Sequence, residues 1–147
     1  MRPIGVIHSP FSDASQTPIQ ASTSEAIGQV EIYPEFSDGL QDVDGFSHLH
    51  LLYVFHCSGD YALRVKPFMD DQLRGLFATR HPCRPNPIGL SVVRLIERRS
   101  NVLEVEGVDM LDGSPLLDIK PYVPDFDIRE ALNTGWYATR SIQGSQK

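Results

Sequence analysis

Eight short β-prone segments, each bounded by turn residues, constrain what this chain can fold into. Ile4–His8, Ala26–Tyr33, Leu49–His56, Leu63–Pro67, Gly75–Thr79, Ile88–Glu97, Val102–Val108 and Leu116–Lys120 are β-branched, aromatic or alternating in polarity. In Val102–Val108, Leu103 and Val105 alternate with Glu104 and Glu106, so one face is wet. Leu49–His56 is apolar on both faces and reads as a central strand. Helical signals are weak: a turn at Pro34–Leu40 that opens on a proline, and Ile128–Leu132. Many short strands with few helices predict a mainly β fold, a single-domain antiparallel or mixed β-barrel with few short helices. No strand–GxGxxG–helix unit is present, which argues against a Rossmann domain.

The length of 147 residues suits one domain with a real core, placed at residues 1–140, and residues 141–147 read as a frayed tail. Ser9–Ser24, Asp38–Gly45 and Arg80–Pro87 read as loops. The longest apolar run, Leu49–Phe55, is too short to span a bilayer, so no membrane partner is expected. The first residues lack a hydrophobic signal core, and two cysteines are too few for a disulfide framework. The expectation is a cytoplasmic protein with Cys57 and Cys83 as reduced packing residues.

The net charge of −6 argues against a nucleic-acid binder if the chain is taken whole. Its distribution does not. Residues 1–63 carry −7, residues 64–99 carry +5 and residues 100–147 carry −4. A basic middle between acidic ends suits local phosphate binding; taken by itself, the pattern is more simply accounted for by arginines paired with nearby acids on a barrel surface.

Three segments bear chemistry. In Arg80–Pro87 the prolines bar a helix and stiffen a loop that carries Arg80, Arg84 and Asn86. The arginines suit carboxylate or phosphate, and Asn86 suits an adenine or amide edge. The same residues would also serve a rigid corner whose arginines cap carbonyls. In Asp109–Tyr122, Asp112-Gly113 is a turn signal. Asp109, Asp112, Asp118, Lys120 and Tyr122 are close in sequence, and parity puts Asp118 and Lys120 on one strand face. A pocket there would hold acids, an amine and a phenol, suited to proton transfer. The third segment is His48-Leu49-His50 with His56-Cys57 downstream; period two places the three histidines on one face. Cys57, His81 or Cys83 would have to complete a metal site, and the ligand set is incomplete, so no metal is expected.

These segments recur in a recognisable order: Ile4–Phe11, Pro18-x-Gln20, Gly45–Leu49, Phe77–Arg80, Arg84–Gly89, Leu111–Pro115 and Asp118–Tyr122. The order resembles the TsaA-like family, also called YaeB- or TrmO-type, over roughly residues 2–127. The resemblance implies a β-barrel methyltransferase that uses S-adenosylmethionine. It implies methylation of N6 of threonylcarbamoyladenosine at tRNA position 37, beside the anticodon, by a homodimer with the cofactor near the subunit interface. Carried over residue by residue, the cofactor contacts fall on Pro18, Ile19, Gln20, His56, Cys57, Arg80, Leu90, Asp109, Met110, Leu111 and Asp112. The chain departs from the family pattern at Ile19, where an arginine is usual, and at His81, where a small residue is usual. The resemblance further leads to the expectation that the C-terminal domain of longer members is lacking here.

Within that reading the acceptor nitrogen is a poor nucleophile and calls for a base. Asp112 is the first candidate and Lys120 and Tyr122 are the next, with Arg80 in the reacting site. Arg84 and Asn86 are candidate substrate contacts, Arg80 or Arg84 for the threonyl carboxylate. The remaining arginines of 64–99 would meet anticodon-stem phosphates. Two rivals stand beside it: a metal-assisted hydrolase built on His48 and His50, and a non-catalytic cofactor- or RNA-binding module. A small-metabolite acceptor is a further variant of the methyltransferase reading.

Overall fold

A computed structural model of the chain describes residues 1–13, 24–57, 59–68, 70–130 and 133–138. The strands are β1 (Gly5–His8), β2 (Ile27–Ile32), β3 (His48–Val54), β4 (Arg64–Val65), β5 (Arg74–Gly75), β6 (Ile88–Arg99), β7 (Val102–Glu106) and β8 (Ser114–Pro121). A single helical turn, α1 (Pro124–Asp127), follows. Six strands close into a barrel in the order β1-β2-β7-β6-β3-β8, and β4 pairs with β5 apart from it. Every barrel neighbour is antiparallel. Closure leaves no unpaired sheet edge.

Alternation sets inside and outside. Leu49, Leu51 and Tyr53 of β3 point inward, with Ile7, Val30, Ile32, Val93, Leu103, Val105 and Leu116 from the other strands, and all are buried. β8 needs a correction to its parity, because Ser114 and Leu116 face in and so does Ile119, which packs on the core. A bulge supplies it: Tyr53 pairs with Leu116 but Leu52 pairs with Asp118, so Leu117 is the extra residue. Asp118 and Lys120 therefore share the outer face, as their spacing predicts, and form an ion pair of 3.2 Å.

Several expectations change. Gly75–Thr79 is not a strand: β5 ends at Gly75, and Leu76–Ala78 forms a 3-10 turn. Leu76 is buried, with its amide bonded to the Leu63 carbonyl, so tertiary anchoring overrides the β propensity. Pro34–Leu40 is a 3-10 helix, as its proline start suggests. A helical turn lies at Pro124–Asp127, ahead of the expected Ile128–Leu132, because Pro124 sets its first position. Of that expected span, residues 131 and 132 lie outside the described residues, as does the expected tail at 141–147. No helix among the described residues is long and apolar enough to cross a membrane.

The expectation of reduced thiols is also overturned: Cys57 and Cys83 form a disulfide, with Cα atoms 5.4 Å apart. The bond joins the two ends of a long excursion, residues 55–87, that leaves β3 and returns into β6. Just inside it, the Phe55 amide bonds the Pro87 carbonyl. Strand pairing of Val54 with Ile88 brings the two chain ends together, so the sulfurs meet without a special motif. Closing a 26-residue separation removes about 3–4 kcal/mol of unfolded-chain entropy in the loop-closure model. Thermal unfolding with and without dithiothreitol tests this: the oxidised protein should melt higher, and Cys57→Ser should melt at the lower temperature irrespective of reductant.

Candidate functional site

Antiparallel alternation decides which loops meet. Strands β1, β3 and β7 end, and β2, β6 and β8 begin, at the same rim. The connections at that rim are residues 9–26, 55–87 and 107–113. The opposite rim carries residues 33–47, the tight β6–β7 turn at Ser100–Asn101 and the exit toward α1.

The 107–113 segment is tied down at several points. The Gly107 amide donates to the Ala26 carbonyl, and the Ser24 hydroxyl donates to the Val108 carbonyl (2.7 Å). The Ser9 hydroxyl donates to the Met110 carbonyl (2.7 Å), and the Ser9 amide donates to Asp112 Oδ1 (2.9 Å). The Asp112 amide donates back to the Phe11 carbonyl. Gly113 has φ of +83°, the left-handed conformation that the Asp-Gly turn requires. Both described ends of the first loop thus clasp the acidic turn. Pro18, Ile19 and Gln20 lie outside the described residues.

Asp109 faces the barrel. Its Oδ1 accepts the Ser91 hydroxyl at 2.7 Å, and the Tyr53 hydroxyl lies 2.9 Å from Ser91 Oγ and 3.4 Å from Asp109 Oδ1. Burial pushes the Tyr53 phenol well above its ordinary value, and the Asp109 charge adds to that, so the phenol stays protonated. Gly89 pairs with Tyr53, and a Cβ there would overlap the Tyr53 ring. Sequence reading assigned no role to Tyr53, Ser91 or Ser9. The available signal was parity, which puts the Tyr53 and Ser91 hydroxyls inside a barrel where they need a partner.

The proline loop is laced by its own backbone. Arg84 donates to the carbonyls of Thr79 and His81, both at 3.0 Å, and to Leu76 at 3.3 Å, and it lies over the Phe77 ring. The Cys83 amide donates to His81 Nδ1, which gives that residue a structural part. Arg84 is thus a clamp of the loop, the carbonyl-capping role that the sequence left open. Arg80 is exposed and bonds no described residue, and Asn86 is exposed beside it in the loop. Trp136 docks on the same excursion, its indole N–H donating to the Ala78 carbonyl at 2.7 Å.

His56 and Cys57 follow β3 on this rim, the latter with its sulfur committed to the disulfide. Leu90 lies on the outer face of β6 and is 58% exposed. Lys120 and Tyr122 are not neighbours of Asp112. From Ser114 to Lys120 β8 rises about 20 Å at the usual 3.3 Å per residue, which carries them to the far rim. There Tyr122 packs on His50 (5.4 Å between ring centroids) and His48 (6.1 Å). His50 Nε2 lies 3.3 Å from Asp127 Oδ2. His48 and His50 share the outer face, but β3 ends at Val54 and His56 does not continue it. No group of three or more His, Cys, Asp or Glu side chains converges among the described residues.

Charge is largely used internally. Arg74, Arg94 and Arg99 pair with Asp70, Glu106 and Glu97, while Arg84 and Arg98 bond backbone carbonyls. Among the described residues, Arg64, Lys66 and Arg80 are the cations of 64–99 without such a partner.

With this geometry, residues 6–128 match the model of the tRNA-methyltransferase O N-terminal domain. The chain belongs to that family. It is 57% identical over 136 residues to a probable S-adenosyl-L-methionine-binding protein of Pyrococcus abyssi, covering 92% of this chain and 74% of that one. It is 37% identical over 139 residues to the tRNA (adenine(37)-N6)-methyltransferase of Mus musculus, covering 89% of this chain but 32% of the mouse protein. The crystal structure of TrmO from Pseudomonas aeruginosa superposes with a TM-score of 0.77 at 39% identity, covering 91% of this chain and 60% of that chain. The family resemblance and the barrel expected from the sequence both stand. The barrel carries the family's N-terminal domain, and the chain spans about a third of the mouse relative's length.

The far-rim cluster has a definite pH signature. The Val123 amide, donating to Asp127 Oδ2 at 2.7 Å, holds the Asp127 carboxyl below its ordinary value of 3.8, and His50 lowers it further. Its contribution is therefore present above the usual carboxylate range and lost as pH falls through the depressed value. Carboxyl titration by NMR should place the Asp127 midpoint below 3.8. In Asp127→Asn the amide exchange of residues 123–128 should rise at neutral pH.

Proposed function

We propose that the loop-built rim binds S-adenosylmethionine and that the protein methylates N6 of threonylcarbamoyladenosine at position 37 of tRNA. The observation that carries this reading is the convergence of three connections, 9–26, 55–87 and 107–113, at one end of a barrel of this family. Relatives named as S-adenosylmethionine-binding proteins and as tRNA (adenine(37)-N6)-methyltransferases support it.

The rim's donors and acceptors suit the cofactor. The anchored 109–112 segment offers fixed backbone groups for a purine edge, and the exposed Leu90 offers apolar area for its ring. Arg80, exposed and unengaged by described residues, suits a carboxylate, whether methionyl or threonyl. Since Arg84 is held by carbonyls, Arg80 is the arginine of the pair assigned to the ligand. When bound, S-adenosylmethionine supplies a sulfonium-activated methyl group for in-line displacement. The protein's part is then positioning and proton removal. Asp112 is the candidate base: its half-exposed carboxylate is oriented by the Ser9 amide and lies 3.8 Å from His8 Nδ1. Lys120 and Tyr122, at the far rim, do not serve the same site within one chain. A homodimer is part of the proposal, and the exposed Leu63, Phe68, Leu73 and Phe77 of the excursion give it apolar surface for subunit contact. The acceptor base must leave its loop to reach the rim, as single-stranded RNA recognition requires.

Mass spectrometry of nucleosides from threonylcarbamoylated tRNA, incubated with protein and cofactor, should reveal the N6-methyl product. Cofactor binding without product would instead mark a non-catalytic binding module. Arg80→Ala should lower turnover at least tenfold with an unchanged melting temperature, whereas Arg84→Ala should lower the melting temperature. A footprint of Arg64 and Lys66 predicts a shallow salt dependence of tRNA affinity, with a log–log slope of about −1.4 per chain for single-stranded contacts.

A further inference from the structure

Tyr53 and Ser91 are 3% and 4% exposed, inside a barrel lined, apart from Ser114, mainly by aliphatic side chains. Phenylalanine and alanine would fill those places without a hydroxyl to satisfy. A buried hydroxyl costs free energy unless it is paired, so the pair is informative about what it holds. Two further features are shaped around it. Gly89, cross-strand from Tyr53, leaves room for the ring where any side chain would collide. Ser91, two residues on, faces the same interior and stands between the phenol and the Asp109 carboxylate.

The distances define a relay. The protonated phenol donates to Ser91 Oγ at 2.9 Å, and Ser91 donates to Asp109 Oδ1 at 2.7 Å. The direct phenol–carboxylate distance of 3.4 Å is longer and weaker. A hydroxyl that donates becomes a better acceptor, so the two bonds reinforce each other. The other ties on this segment come from Ser9 and Ser24, from the backbone of Ile7, Phe11 and Ala26, and from the Ser114 hydroxyl on the Leu111 carbonyl. The relay holds the Asp109 side chain from the interior of the barrel.

We infer that Tyr53 and Ser91 are positioning residues whose buried hydroxyls fix Asp109 from inside the barrel and so set the geometry of the 107–113 segment for its ligand. The ligand part rests on the cofactor reading above; the positioning part does not. Neither residue is among the family-implied cofactor contacts, and both act through Asp109.

Tyr53→Phe and Ser91→Ala, singly and together, test this by two readouts. Amide hydrogen exchange should rise about tenfold or more at residues 107–113 relative to β2 and β7. The S-adenosylmethionine Kd from calorimetry should rise about tenfold. Because the Tyr53 hydroxyl also lies 3.4 Å from Asp109 Oδ1, the double variant should loosen the segment at least as much as Ser91→Ala. Exchange that rises uniformly across the barrel, or a Kd equal to wild type despite a loosened segment, overturns the inference. If the wild-type protein binds no S-adenosylmethionine, the cofactor reading fails, and the exchange experiment still decides whether the relay positions the segment.

Discussion

The closure of six antiparallel strands is the constraint on which the rest of this molecule depends. In a closed antiparallel barrel each strand reverses its neighbour, so connections can emerge only at two rims. Here the three connections at one rim run through residues 9–26, 55–87 and 107–113. Segments just over a hundred residues apart in sequence are therefore neighbours in space. Ser9 bonds both the Met110 carbonyl and the Asp112 carboxylate across that separation. The proposed site is a consequence of strand direction, and the loops need only carry suitable side chains.

Loops that build a site must be held, and the 107–113 and 55–87 connections are held differently. The acidic turn is clasped by serines at its rim and by the Tyr53–Ser91 relay from within. The excursion is closed at its base by the Cys57–Cys83 bond, and its proline corner is laced by Arg84. Satellite anchoring by Leu76 and Val65 gives it a small apolar centre away from the barrel core. These devices reduce the freedom that a ligand would otherwise have to remove on binding.

Using an arginine as a scaffold changes how the basic middle of the chain should be understood. A run of eight bases suggests a broad phosphate footprint, but most are engaged by carboxylates or carbonyls of the same chain. What remains unpaired among the described residues is small and local, with Arg80 on the site loop. Charge counted along the sequence overstates the charge available at a surface, because nearby acids such as Asp70 and Glu97, the cross-strand Glu106 and backbone carbonyls already engage it.

Much of the architecture was legible in the residues themselves. Period-two alternation in Val102–Val108 and the punctuation by Gly, Pro and Asp located the barrel strands to within a few positions, and the ordered motifs identified the family. Local pattern is enough there because strand propensity and burial agree. It failed where tertiary contacts outweighed propensity, as at Leu76–Ala78, and where partners are remote, as for Cys57 with Cys83. It also failed for Asp112, Lys120 and Tyr122, which sequence proximity groups into one pocket. An extended strand advances about 3.3 Å per residue, so eight positions carry side chains to opposite rims. Composition and periodicity determined that this chain forms a barrel. Which residues share a rim, and which hydroxyls reach Asp109, was decided by strand pairing and by the bulge at Leu117, because register is a relation between strands that no single strand encodes.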